Sequence, residues 1–561
     1  MAGTIIRGEN FFYNTRYEGN GGAQKVGKFI PFTDQSTLDH GLIFNVADGP
    51  KLQKEVTTTG NRRTFTISAW VKRTSFGNNS YIFFAGESGN AYTRLWLDSS
   101  DRRLHCHSTN SAGSNKMSVS TNQTFESTSK FYHIVAAFDT TQASDANKIK
   151  IYVDGEQITD FSYSGYSGGT NYDTEVNKDN SNHTWGQAGH YAAQGLEGYL
   201  AQCILVDGTA YGPDTFGITD TATGRWIPKS LGSITYGTNG ARLDFANTAG
   251  QTFGDDTSGQ GNDFTVTNLT ASDLTTDSPT QNHCVLSNNL ARGSVSLTEG
   301  GLKLQSSSTN YACCATTMEF SENDSQGYYF ETKVTGSTRS TTGILIMRGS
   351  VDVAGLSSDQ QHAGCFGINA RGGGGSNQYW FTVNGSYDGT TGVAHGANDV
   401  LQVAFKNGKV WFGINNTYLL SGNPATGANP TFSNIAGEDF RFLICTYSNY
   451  DILECNFGQK TYAHTPPTGF VALQQDNRPA ESSKGVPDLV WIKNRDDTDG
   501  WVWADTLRGP KIYGSSGSST TFNTAQEDGV QKFIKDGVEV EDADIVNTSS
   551  ESFVSWCWSI N

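Results

Sequence analysis

Ile149, Ile151 and Val153 alternate with Lys148, Lys150 and Tyr152, the period-two pattern of a strand with one buried face. Asp154-Gly155 follows, supplying the positive φ that a two-residue hairpin turn needs, and Ile158 restarts the pattern. Upstream, Phe131 to Phe138 is a longer apolar run, predicted to be a strand buried on both faces or nearly so. Phe65, Ile67, Ala69 and Val71 alternate with Thr66, Ser68, Trp70 and Lys72, and further strand candidates lie at 81–84, 95–98 and 200–208. A second series covers 327–336, 365–370, 378–385 and 400–416. In the last of these, Asn407-Gly408 suits a type I′ turn, the strongest short-range hairpin signal. The tail holds the runs PDLVWIKNR, WVW and VSWCW, with a short helix expected near Ala525 to Lys535. Trp501 and Trp503 share a parity, as do Trp556 and Trp558, and the expectation is that they build the tail's core rather than a ligand shelf. Many short strands separated by Gly, Ser, Thr and Asn predict an all-β chain.

Three stretches resemble known families. The run FYHIVAAFD (131–139) followed by IYVDG (151–155) resembles the central hairpin of laminin-G-like (concanavalin A-type) jelly rolls, with Phe131 and Tyr132 in place of the usual Trp. FTISAWVK near the start and GYLAQCILVDG near the end resemble that family's first and last strands, so the resemblance spans 37–208. VLQVAFKNGKVWFGIN (400–415), FRF, LECNFGQ and PPTGF resemble the SPRY (B30.2) family, placing a second antiparallel sandwich at 285–475. Residues 209–284 then form a connector, and 476–561 resemble a small Trp-rich module that recurs in phage appendage proteins. Over nearly its whole length the chain resembles bacteriophage virion appendage proteins. That resemblance implies a tail fibre or receptor-binding adhesin in the virion, commonly a trimer, contacting host-surface glycan or protein. The alternatives it leaves are a head or neck decoration protein and, more distantly, a polysaccharide-degrading tailspike. Residues 1–36 are expected to be an arm docking on other virion proteins, or else an ordinary first strand with its leader.

At 561 residues the chain is too long for one core and calls for three or four domains. The formal net charge of −17 argues against nucleic acid and against an anionic membrane, because both would repel it. Nine scattered cysteines form no CxxC pair, and several sit inside apolar runs, as Cys203 and Cys445 do. They read as small core residues of a chain folded in a reducing cytoplasm. No signal-peptide pattern opens the sequence, and no apolar run approaches the length of a membrane span.

No catalytic set is legible. A jelly-roll glycosidase needs paired acids across the scissile bond, and no E-x-D-x-x-E spacing occurs. The densest acidic run, Glu539 to Asp544, reads as a solvated loop. Gly165 to Gly169 spells G-x-S-x-G, but a Gly/Asn/Asp-rich loop follows where a nucleophile elbow needs a helix. Gly372 to Gly375 has no following Lys and reads as a sandwich loop, not a phosphate loop. His105-Cys106-His107 would place both histidines on one face of a strand, short of a full zinc ligand set. Asp255, Asp256 and Asp263 around Ser258 to Asn262 suit Ca²⁺, or else hydrogen-bond their own loop backbone; no other cofactor is expected. The binding candidate is 161–194, where Tyr163, Tyr166, Tyr172, Trp185 and Tyr191 sit among Gly, Ser and Asn. Rigid ring faces beside adaptable hydrogen-bonders suit sugars, and would equally suit a subunit contact.

Overall fold

The computed structural model describes residues 4–7, 37–86, 90–189, 191–220, 225–245, 252–308, 312–336, 342–349, 351, 353, 356, 364–370, 378–383, 386–394, 396–436, 439–446, 452–478, 487–515, 528–534, 537–541, 543–548 and 551–558. The chain is all-β, its sheets antiparallel except where Phe470–Ala472 pairs parallel to Gly327–Val334, and divides into two units after Asn282.

The first unit is a sandwich of two eight-stranded sheets. One runs in the order Glu156–Ile158, Ile149–Val153, Tyr132–Asp139, Thr64–Arg73, Gly198–Asp207, Gly41–Phe44, Leu274–Thr275, with Ala241–Leu243 branching from Gly198–Asp207. The other runs Phe161–Tyr166, Asn115–Thr124, Arg103–Thr109, Tyr92–Leu97, Ser80–Gly86, Asn182–Trp185, Lys51–Glu55, Thr265–Thr267. Between them Phe65, Ile67, Ala69 and Val71 meet Leu95, Leu104, Cys106 and Val119, as strand alternation requires. The central hairpin turns where expected, with Asp154 at φ 48° and Gly155 at φ 87°. A Cβ on Gly155 would also stand 2.4 Å from the Trp226 ring. Gly155→Ala is therefore expected to cost about 1–3 kcal/mol, read as a lower midpoint in a urea melt.

The 209–284 segment is not a free connector; up to Asn282 it belongs to the first sandwich. The strands of the first sheet carry apolar residues on their outer side as well, and Val135, Ile204 and Val206 are sealed by Phe216 and Tyr236. Trp226 lies parallel over His133, which in turn stacks on Trp70. Deeper in the same face, Lys72 Nζ donates to Asp277 at 2.9 Å and to Asn282 at 2.8 Å.

The second unit begins with another sandwich, seven strands facing eight. Phe320, Phe330 and Phe442 meet across its interior, with ring centroids 4.3–4.5 Å apart for the closer pairs. Asn407 at φ 50° and Gly408 at φ 68° make the expected tight turn between Val400–Lys406 and Lys409–Ile414. The Gly372 to Gly375 loop lies outside the described residues. The nine cysteines form no disulfide, and eight are buried.

The tail is a small module of two sheets. Gly509–Ser515, Val502–Asp505, Leu489–Asn494 and Phe553–Trp558 form one; Thr4–Arg7, Gly537–Val540 and Val530–Ile534 form the other. Three expectations are corrected here. The part of the expected helix that is described is the strand Val530–Ile534; residues 516–527 lie outside the described residues. The acidic run is not a solvated loop, since Glu539 and Val540 pair in a sheet and Glu541 is buried. The tryptophans are not the core, because Val490, Ile492, Val502, Ala504, Val538 and Val540 fill it. Thr4–Arg7 pairs with Gly537–Val540 in this module, and the rest of the arm, 8–36, lies outside the described residues. Among the described residues no helix is long and apolar enough to cross a membrane.

Candidate functional site

The outer face of the second sheet in the first unit carries two rows of side chains set by strand register. Tyr81 opposes Trp96, Trp96 opposes His105, His105 opposes Ser120, and Ser120 opposes Tyr163. In the neighbouring row Arg94 opposes His107, His107 opposes Ser118, and Ser118 opposes Gly165. Each of these residues is one position out of phase with a core residue such as Leu95, Cys106 or Val119, which is why they share this face.

Trp96 is the anchor. The Arg94 guanidinium lies 4.2 Å from its ring centroid and donates to the Tyr81 hydroxyl at 3.0 Å. His105 stacks on Trp96 at 4.9 Å, and His107 meets it edge-on at 4.6 Å. Ser120 Oγ holds His105 Nδ1 at 2.7 Å, while His105 Nε2 faces the Asp101 carboxylate at 3.1 Å. Burial pulls the Asp98 carboxyl upward, but hydrogen bonds from Ser100, Trp96 and Asp101 outweigh it and hold the group at about 2. Burial, followed by the Arg94 and His105 charges, pushes His107 down to about 3. At neutral pH His107 is therefore an uncharged ring with one donor and one acceptor nitrogen. The neighbouring Ser118 hydroxyl is buried without a hydrogen-bond partner. Arg94, His105, His107 and Tyr163 keep accessible surface on this face, whereas Trp96 at 4% and Ser118 at 1% exposure lie beneath them. Asp98, Asp101 and His105 are the group of acids and histidines whose ligand atoms converge within 4.8 Å among the described residues.

The five rings singled out in the sequence do not form one shelf. Tyr163 stands on this face and is 54% exposed. Tyr166 and Tyr172 instead pack partly against the sandwich interior, and burial raises both phenols, Tyr166 to about 12. Trp185 is 1% exposed and sits edge-on to Phe83, so its ring is core and offers no surface to a sugar. The side chain of Tyr191 lies outside the described residues. Asp255, Asp256 and Asp263 do not converge; they tie their own loop. Asp255 accepts from Thr252, Asp256 from Arg242, Ser258 and Asn262, and Asp263 from the Asp256 amide. Arg94 escaped the sequence reading, and His107 was weighed there only with His105 as a partial zinc ligand set. The legible signal was the shared parity of Arg94 with Trp96 and of His105 with His107.

Residues 47–202 match the profile of the Concanavalin A-like lectin/glucanases superfamily, and residues 474–561 match a domain of unknown function (DUF7483). No curated protein matches the chain. Among solved structures it is similar to the SPRY domain of human HERC1 at 12% identity, covering 31% of this chain and 99% of that one, with a TM-score of 0.25. The native heptameric SAP-like pentraxin from Limulus polyphemus matches at 17% identity over 31% of this chain and 79% of that one, TM-score 0.24. Mouse laminin alpha1 chain, domains LG4-5, matches at 10% identity over 88% of this chain and 96% of that one, TM-score 0.26.

Proposed function

We propose that the chain is an adhesin that holds a surface glycan on the Arg94–His107–Tyr163 face without breaking bonds. The observation that carries this reading is the asymmetry of the first sandwich. The outer face of one sheet is sealed by Phe216, Trp226 and Tyr236, whereas the other presents Arg94, His105, His107 and Tyr163 only partly covered. The exposed Tyr163 ring meets the C–H side of a sugar, and Arg94 and His107 hydrogen-bond to its hydroxyls. In a phage virion, a trimeric tail fibre held to the particle by its N-terminal arm would repeat this site. Repetition would then multiply a modest affinity.

A glycan array probed with the full chain tests the reading. Binding is expected, and Arg94→Ala or His107→Ala should weaken it about tenfold while circular dichroism stays unchanged. Retention of no glycan, or equal retention by these variants, would sink the proposal; release of reducing sugar would replace adhesion with hydrolysis.

A further inference from the structure

The solvent side of the four-stranded tail sheet is paved with indoles. Register sets Trp491 directly between Trp503 on one side and Trp556 on the other. Ring centroids lie 5.2 Å apart for Trp491–Trp501 and Trp501–Trp556, and 6.0 Å apart for Trp491–Trp558. The rings touch their neighbours, so they form a continuous surface and leave no gap for a ligand between them. Trp491 is 40% exposed and Trp558 41%, although the sheet's other side already buries a complete valine-rich core. Five tryptophans on the wet side of so small a sheet are not needed for folding, and exposed apolar patches of this kind mark contact surfaces.

We propose that this face binds a neutral polysaccharide, laying successive sugar rings across the tryptophans. The chain carries a formal −17, so an anionic lipid surface or an acidic polysaccharide would approach against repulsion, which favours an uncharged glycan. Two of the basic groups nearby are already engaged. Lys493 Nζ donates to the carbonyls of Asn494 and Asp497 at 2.6 and 3.1 Å, and Arg508 pairs with Asp505. What the face offers is indole surface, with neighbouring rings tilted 33–65° to one another. An uncharged ligand stacks its apolar C–H faces on the exposed rings. The site lies in a different unit from the Arg94–His107 face and stands or falls independently of it.

The test is co-sedimentation of the full chain with insoluble cellulose, chitin and β-1,3-glucan, with tryptophan emission recorded in parallel. Retention on at least one of these is expected, with a blue shift on binding. Trp491→Ala and Trp558→Ala should each weaken retention about tenfold, because both rings are exposed enough to remove without opening the core. Retention that His107→Ala lowers and the tryptophan variants do not would belong to the face in the other unit and overturns the proposal. Should the melting temperature of Trp491→Ala fall sharply, Trp558→Ala alone decides. Failure of all three polysaccharides to retain the chain overturns the proposal. So does equal retention by the tryptophan variants, or self-association that Trp491→Ala abolishes, which would make the face a subunit contact.

Discussion

Acidification from pH 6.5 to 4.5 is expected to remove about 5 kcal/mol from the stability of the first unit, roughly 2.7 kcal/mol per pH unit. Two histidines carry the effect. His133 and His183 are fully buried, and burial pushes both down to about 3. Each ring also accepts a hydrogen bond that protonation would destroy. Trp226 Nε1 donates to His133 Nδ1 at 2.9 Å, and the Asn177 amide donates to His183 Nε2 at 3.0 Å. Well above pH 6.5 both rings are neutral whether the chain is folded or not, and stability is flat with respect to them. Below it the unfolded chain takes up protons first, so stability drains away until the folded rings also charge near pH 3. His107 adds in the same direction but less, since it is partly exposed. Because a domain holds about 5–15 kcal/mol in total, the loss is a large share of it. Urea melts of the full chain at pH 7, 5.5 and 4.5 measure it. His183→Gln should flatten the slope by about one proton's worth, roughly 1.4 kcal/mol per pH unit. A wild-type slope below about half the expected value would show that these rings are not held neutral.

Asp277→Ala is expected to cost about 3–5 kcal/mol, more than ordinary truncation of an aspartate. Lys72 and Asp277 are both 0% exposed, so removing the carboxylate strands an ammonium in the protein interior. The rings of Tyr199 and Phe131, 5.2 and 5.5 Å from Lys72 Nζ, compensate it only in part. The physical chemistry of buried pairs also predicts a rescue. Lys72→Met combined with Asp277→Leu should recover most of the loss, since an apolar pair of similar volume avoids the desolvation cost. Denaturant midpoints of the single and double variants check both statements. A single-variant loss under about 1 kcal/mol would mean that water reaches the ammonium.

The two tight turns, the all-β class and the alternating strands were legible because they depend on residues next to one another. Asp154-Gly155 and Asn407-Gly408 take up positive φ whatever packs around them. The choice between faces was not legible. Parity places Trp501 with Trp503 and Trp556 with Trp558, but both sides of the tail sheet are apolar. The valines won the interior because Val530, Val538 and Val540 on a facing sheet could meet them. Trp185 read as a loop ring and proved to be core for the same reason: Phe83 on a neighbouring strand buries it. Residues 209–284 read as a connector with its own pattern, yet up to Asn282 they belong to the first unit, where Phe216 and Tyr236 cover the apolar outer side of a sheet.

By itself, then, the sequence determined that this protein is antiparallel strands joined by glycine-rich turns, since backbone neighbours decide those choices. Only the tertiary structure decided which sheet faces are sealed, and so where Arg94, His107 and the tail tryptophans meet water. Burial is conferred by segments remote along the chain, and a local pattern carries no record of them.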